Sequence, residues 1–368
     1  MKRVIIIGDA THNTLSAVRS LGEAKIPFVL ILVGREDPCF VRYSKYLQQG
    51  NLFTVEELSE CEKLLSSLAA VGDMPILMTT YDAAAEWVDS REPALSRQFV
   101  TPCRGKQLGD LFNKEVQCQL ARECGLDVPM SIVYRRDQPL PADELIFPVI
   151  TKPLVSSAGS KGDIHICRSL EELEEALEKQ SDCQRFILQQ FIDKEYELNC
   201  ICVSTDDGVV MGGGIRKYRH WPRLVGAATY GVFDRMDSYN VNMEGVRRFI
   251  EVSHYHGPFS IELLHTRDGK NYFMEVNFRN DGLAYASTCA GVNLHALYAD
   301  GSRQIDWGKF RKTYMMNYSI DLLYVKEGEL SWGQWLRDLL RTRCFINMSL
   351  SDLRPTIEYY RTKLHLRH

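Results

Sequence analysis

The stretch SIELLHTRDGKNYFMEVNFRND, Ser260 to Asp281, reads as two short strands joined by a turn. Its Asp268-Gly269 dipeptide is the strongest short-range hairpin signal, because a two-residue primed turn needs positive φ at its central positions. That turn sets Glu262 opposite Glu275, Leu264 opposite Phe273 and Ser260 opposite Asn277. Alternation then places Ile261, Leu263, Met274, Val276 and Phe278 on an apolar face, and Glu262, Glu275, Asn277 and Arg279 on the other. At roughly 5 Å and an effective dielectric of about 20, two carboxylates repel by about 3 kcal/mol, more than an ordinary cross-strand pair of ~0.2–1 kcal/mol. A shared proton, the nearby Arg279 or a hard divalent cation would neutralise them. Oxygen ligands followed by a cationic arm suit Mg²⁺ bridging to phosphates, whereas the bland alternative is a solvated hairpin face with an incidental ion pair.

Working outward, FPVITKPLVSSAGSKGDI ends a strand at Lys152 and follows it with small residues that let backbone N–H groups approach an anion. The Walker A pattern is absent, so the loop is a phosphate cradle of another kind or a flexible surface loop. FILQQFIDKEYELNC supplies an apolar strand, a hinge, and Glu195 and Glu197 at strand alternation. Hinge backbone groups can read an adenine edge, and a carboxylate beyond them can take ribose hydroxyls.

At the N-terminus, RVIIIG is a β-branched run followed by a helix around Leu15 to Ala24 and a second strand, PFVLILV. With MPILMTTYDAAAEW this order predicts a parallel, doubly wound domain, whose ligands gather at the carboxyl ends of the strands near His12 and Asn13. No Gly-x-Gly-x-x-Gly accompanies it, which weakens a dinucleotide reading. Past residue 100 the pattern changes to a helix from Leu108 to Cys124, then short strands, and a helix at Leu170 to Lys179. In the tail, Trp332, Trp335, Leu336, Leu339 and Leu340 follow helical spacing, predicting a helix packed on the body.

Composition fits a soluble chain of two or three domains: 368 residues, 45% hydrophobic and 25% charged. A formal charge of −4 gives no field favouring nucleic acid, and the opening apolar run is too short for a membrane span. Eleven scattered cysteines, without zinc spacing or a signal peptide, fit a reducing cytoplasm. Cys200 and Cys202 read as strand core.

Lys114 on a helix, Lys152 before a Gly/Ser loop, the Gln189 to Ile192 hinge with Glu195, then Glu262 and EVNFR resemble the ATP-grasp superfamily in order and spacing over about residues 105–300. The preceding domain is similar to the pre-ATP-grasp domain of its carboxylate-amine ligases, of the D-aspartate-ligase and carbamoyl-phosphate-synthase kind. The resemblance implies an α/β plus α+β architecture: a Rossmann-like domain at 1–102, an ATP-grasp domain of two α+β subdomains enclosing ATP at 103–301, and a mainly helical tail at 302–368. It implies that Lys114 and Lys152 hold the α- and β-phosphates, and that a loop carrying Ser156, Ser157, Gly159, Ser160 and Gly162 closes over the β- and γ-phosphates. Gln189, Gln190 and Ile192 would read adenine, with Glu195, or second Glu197, on the ribose. Many relatives carry an acid where Gln189 stands, but an amide oxygen also accepts from an adenine amino group. Glu262, Glu275 and Asn277 would carry Mg²⁺, with Mn²⁺ as the alternative. Arg279, with Arg216 or Lys217, would stabilise a transferring phosphoryl group or acyl phosphate.

Acceptor selection is expected from His12, Asn13, Arg219, His220 and Arg223, since RKYRHWPR beside the site suggests a substrate with more than one anionic group. A solvated basic loop is the alternative for that stretch. The implied activity is an ATP-dependent carboxylate-amine ligase with ATP, a small carboxylate and an amine as partners, and a homodimer as its assembly. Bicarbonate activation through carboxyphosphate and a non-catalytic nucleotide-binding module are the competing readings.

Overall fold

The computed structural model describes residues 2–34, 39–69, 74–153, 165–179, 183–223, 226–301 and 304–365, with the side chains of 152, 153 and 363–365 outside that description. Three sheets organise the chain. The first is parallel, with β1 (Val4–Gly8), β2 (Phe28–Val33), β3 (Leu52–Val55) and β4 (Ile76–Thr79) in the order β3-β2-β1-β4. Both of its faces are covered, which explains why β1 is apolar at successive positions. Val4 and Ile6 pack with Leu15, Val18 and Leu21 of the helix His12–Glu23. Ile5 and Ile7 pack with Leu65, Trp87 and Val88 of the helices Cys61–Leu68 and Asp82–Ser90. At the end of β1 a Cβ on Gly8 would lie 2.5 Å from Thr14 Oγ1 and 2.8 Å from Thr80 Oγ1, so only glycine fits where the chain turns toward the helix.

The second sheet is antiparallel: β5 (Ser131–Arg135), β6 (Val149–Pro153), β7 (His165–Cys167) and β8 (Arg185–Gln190), in the order β5-β8-β6-β7. The helix Leu170–Lys179 closes it by burying Leu173, Ala176 and Leu177 against Val149, Phe186 and Leu188.

The third sheet comprises β9 (Lys194–Thr205), β10 (Gly208–Trp221), β11 (Ala227–Asp234), β12 (Gly257–Thr266), β13 (Asn271–Asn277), β14 (Thr313–Met316) and β15 (Thr342–Phe345). Its order is β13-β12-β9-β10-β11-β14-β15. Leu198, Cys200 and Cys202 face a core with Phe249, Ile261 and Phe273. The intervening Ile201 and Val203 face the core shared with the N-terminal sheet's helix. Asn199 and Glu197 continue that second face beyond the apolar residues, so one face of β9 passes from packed core to polar cavity by alternation alone.

The helix expected from Leu108 begins later, at Lys114, because Gly109–Phe112 forms a 3₁₀ turn and the Asn113 side chain caps the helix by accepting from Glu115 N. The segment from 302 onward is not merely a helical tail, since β14 and β15 extend the large sheet. Its helix Trp332–Arg341 docks through Trp335, leaving Trp332, Leu336 and Leu340 exposed. No helix among the described residues is long and apolar enough to cross a membrane.

Candidate active site

β12 and β13 place Ser260 opposite Asn277, Ile261 opposite Val276 and Glu262 opposite Glu275. The turn that produces this differs from the expected one. Thr266 N donates to Lys270 O at 3.0 Å and Gly269 N to Thr266 O at 2.9 Å, so the loop holds three residues, with Gly269 at φ +84°. One residue gained in the turn is offset by a bulge at Met274, beyond which Leu263 pairs with Phe273 and Leu264 with Tyr272. The glutamates therefore meet as expected, but Phe273 takes the core position and Met274 moves to the cavity wall.

That cavity, of about 700 Å³, lies between the second and third sheets. Ser131, Val133, Ile187 and Gln189 line one side, and Glu197, Lys217, Glu262, Leu264, Met274 and Glu275 the other. Lys114, Gln119 and Arg122 of the helix Lys114–Glu123 close an end. The charges form a chain. Lys217 Nζ, almost wholly buried, stands 3.2 Å from Glu262 Oε2 and 3.4 Å from Glu197 Oε2. Glu197 Oε2 is also 3.0 Å from His220 Nε2, its other oxygen meets Lys194 Nζ, and Lys114 Nζ meets Glu275.

Burial opposes the Lys217 charge, yet Glu262, Glu197 and Asp281 outweigh it and raise its pKa. Burial likewise opposes the Glu197 anion, but the His220 hydrogen bond and the Lys217 charge hold its carboxyl far below the ordinary range. Glu262 is pushed upward, first by burial and then by Asp281 and Glu275 against the pull of Lys217. It thus sits in an excess of negative charge that a cation would relieve. Glu262, Glu275 and Asn277 offer only oxygens, the donor set of a hard divalent ion. Among the described residues no group of three or more His, Cys, Asp or Glu side chains could hold a metal ion.

Arg279 Nη2 donates to Asn277 Oδ1 at 2.9 Å and its Nε to Asp82 Oδ1 at 2.7 Å, linking the hairpin to the N-terminal domain. Burial works against its charge, but Asp281 and Asp82 raise its pKa. Asp281 accepts from Asn199 Nδ2 at 3.0 Å and Ser260 Oγ at 2.8 Å. Neither Asp281, Asn199 nor Arg122 stood out in the sequence. Asp281 follows directly on EVNFRN, and that adjacency was its only signal.

Other expected contacts are placed elsewhere. Arg216 does not line the cavity: one strand position from Lys217, it stacks 4.0 Å from the Tyr196 ring centroid and pairs with Glu195 at 3.0 Å. Arg219 is held by Asp321 at 2.9 Å and Asp338 at 2.7 Å, and Arg223 by Glu327 at 2.6 Å and Glu329 at 2.7 Å. Arg219 thereby fastens the C-terminal helices, Arg223 makes its pairs at the exposed surface, and neither lines the cavity. His220 reaches the cavity's charge chain through Glu197, which is occupied by cations and not open to ribose. His12 packs 5.0 Å from Phe40 and 5.6 Å from Tyr359, centroid to centroid. Asn13 Nδ2 donates to Thr80 O at 3.1 Å, while Asn280 Nδ2 donates to Asn13 O at 2.7 Å. Neither lines the cavity.

In the hinge, Gln190 N donates to Met130 O at 2.8 Å and Phe191 N to Pro148 O at 2.7 Å, and Ile192 is buried. The side chain of Lys152 and the loop with Ser156, Ser157, Gly159, Ser160 and Gly162 lie outside the described residues.

No protein-family model matches the chain, and no curated protein does. Solved structures do. An N5-carboxyaminoimidazole synthetase from Staphylococcus aureus shares 14% identity at TM-score 0.63, covering 89% of this chain and 86% of its own. An L-amino acid ligase from Bacillus licheniformis shares 16% at 0.56, covering 84% and 76%. The biotin carboxylase domain dimer of Hydrogenobacter thermophilus 2-oxoglutarate carboxylase, complexed with MgADP, ADP and bicarbonate, shares 15% at 0.54, covering 84% and 73%. The chain has their fold, the ATP-grasp architecture, in which a parallel α/β domain precedes two sheets facing across a cavity.

Proposed function

We propose that the chain is an ATP- and Mg²⁺-dependent ligase that activates a carboxylate as an acyl phosphate and joins it to an amine, releasing ADP and phosphate. The observation that carries this reading is the run of opposed charges from Lys114 at the end of the cavity through Glu275, Glu262, Lys217 and Glu197 on its large-sheet wall. Carboxylates and ammonium groups so arranged suit a polyphosphate and its counter-ion.

In this reading adenine lies between the small sheet and Leu264 and Met274, with the Gln189 to Ile192 segment at its edge and Glu195 toward the ribose. Lys114, Lys217 and Lys152 hold phosphates, and the loop over Ser156 to Gly162 covers them. Glu262, Glu275 and Asn277 hold Mg²⁺, or Mn²⁺ in its place, which when bound neutralises phosphate charge. A substrate carboxylate oxygen attacks the γ-phosphorus and ADP departs. The amine nitrogen then attacks the acyl carbon, phosphate leaves, and the nitrogen gives up a proton. Arg279, held by Asn277 and Asp82, points its charge to the acyl phosphate. Each protomer of a cytoplasmic homodimer then comprises residues 1–102, 103–301 and 302–368, the last completing the large sheet through β14 and β15.

The similar structures include both an amino acid ligase and a carboxylase domain bound to bicarbonate, which keeps carboxyphosphate formation as the second reading. ADP release measured with pooled amino acids, with bicarbonate, or with neither separates them. Release that requires amino acids supports the ligase, and release that requires only bicarbonate supports the alternative. ATP that stays intact under every condition contradicts both.

A further inference from the structure

β13 is the edge strand of the large sheet, so among the described residues no strand runs along its outer row of backbone groups, which meets backbone only at the single bridge between Asp127 and Tyr272. At one point that row is met by a side chain. Gln117, 3% exposed on the helix Lys114–Glu123, accepts from Val276 N at 2.7 Å through Oε1 and donates to Val276 O at 3.1 Å through Nε2. The same Nε2 donates to Leu111 O at 2.8 Å, which uses the second amide proton. A primary amide here imitates one residue of a neighbouring strand. Val276 stands between Glu275 and Asn277, and Lys114, one turn before Gln117, meets the Glu275 carboxylate.

Resting on the nucleotide reading above, we infer that Gln117 is the positioning residue for the cation ligands: it fixes the backbone from which Glu275 and Asn277 project. The strand needs this more than a central strand would. On its inner side the Met274 bulge interrupts the β12 ladder immediately beside Glu275, leaving the local backbone less restrained there. Among the described residues the other outer backbone contact, Phe273 N to Asp127 O at 2.7 Å, lies on the far side of that bulge. The amide pair at Val276 therefore determines where the two oxygen ligands sit relative to Glu262. Groups that orient metal ligands commonly change metal affinity by about 10- to 100-fold when removed.

The test is Mn²⁺ titration in the presence of ADP, followed by the electron paramagnetic resonance of free Mn²⁺, on wild type, Gln117→Leu, Gln117→Glu and Ala121→Gly. Leucine removes all three hydrogen bonds, and glutamate keeps only the acceptor for Val276 N. Ala121, fully buried on the same helix, loosens the helix without touching the backbone of β13 through a polar group. The expected result is Mn²⁺ affinity weakened roughly tenfold in Gln117→Leu and less in Gln117→Glu. ADP affinity without the metal stays near that of wild type, and Ala121→Gly lowers the melting temperature with Mn²⁺ affinity kept. Equal Mn²⁺ affinity in wild type and in a folded Gln117 variant overturns the inference, as does an equal loss in Ala121→Gly. Should the leucine variant not fold, the glutamate variant decides. A wild type that binds neither ADP nor Mn²⁺ with ADP defeats the nucleotide reading itself, an outcome distinct from a wild type that binds and variants that match it.

Discussion

Lys217 and Arg219 stand two residues apart on β10 and have opposite assignments. Lys217 is set between Glu197 and Glu262 at the cavity, whereas Arg219 turns to the C-terminal helices and grips Asp321 and Asp338. Plain alternation would have kept them on one face. The register of β10 against β11 shifts on both sides of Arg219, and that irregularity redirects it. A run of cations therefore does not identify a binding surface by its number. What matters is where each carboxylate partner stands, and here one set lines the cavity and the other fastens the C-terminal helices.

The sharpest way to break this contrast is to exchange the two cations for methionine. Lys217→Met should lower kcat/KM about 10²- to 10³-fold, the usual cost of losing one charge-stabilising donor. Arg219→Met should leave a fully buried Asp321 without its arginine and reduce stability by about 3–5 kcal/mol in denaturant titration. Its turnover, measured where the variant is folded, should remain close to wild type. Comparable losses of turnover in both would erase the distinction between site and scaffold.

A smaller effect concerns the joint between hairpin and N-terminal domain. His295, fully buried, donates through Nε2 to Asn280 Oδ1 at 2.6 Å, and burial lowers its pKa from 6.5 to about 4. Below pH 6.5 the unfolded imidazole takes up a proton that the folded one refuses until about pH 4. Stability should therefore fall as pH drops through that window, by roughly 3 kcal/mol at most. His295→Gln should flatten this part of the curve, and an unchanged slope would remove His295 as its source. Least affected should be Arg223→Ala, whose exposed pairs with Glu327 and Glu329 are screened by solvent. A melting curve superimposable on wild type is expected, and a large shift would promote Arg223 to a scaffold clamp like Arg219.

The hairpin shows how much of the site was legible. Glu262 and Glu275 were paired from Asp268-Gly269 and strand alternation, but two departures cancel: the turn is one residue longer and Met274 bulges out. Bulges leave little trace in a single strand's pattern, so the exchange of Phe273 and Met274 between faces could not be anticipated. The parallel N-terminal sheet was legible because a strand buried on both faces reads as an unbroken β-branched run. The fates of Arg216, Arg219 and Arg223 were not, since the acids that hold Arg219 and Arg223 lie about a hundred residues further along the chain. β14 and β15 escaped notice for a related reason. They are short, and what makes them strands is pairing with distant partners, β14 on the edge of β11 and β15 on β14.

The central claim is that the facing carboxylates serve nucleotide-driven ligation. Its most direct test is mass spectrometry of protein incubated with ATP, Mg²⁺ and a pool of amino acids and small carboxylates, run beside Glu275→Gln. ADP is expected together with a new mass equal to two pool members less water, both absent in a variant whose thermal melt matches wild type. Undiminished product formation by Glu275→Gln would contradict it.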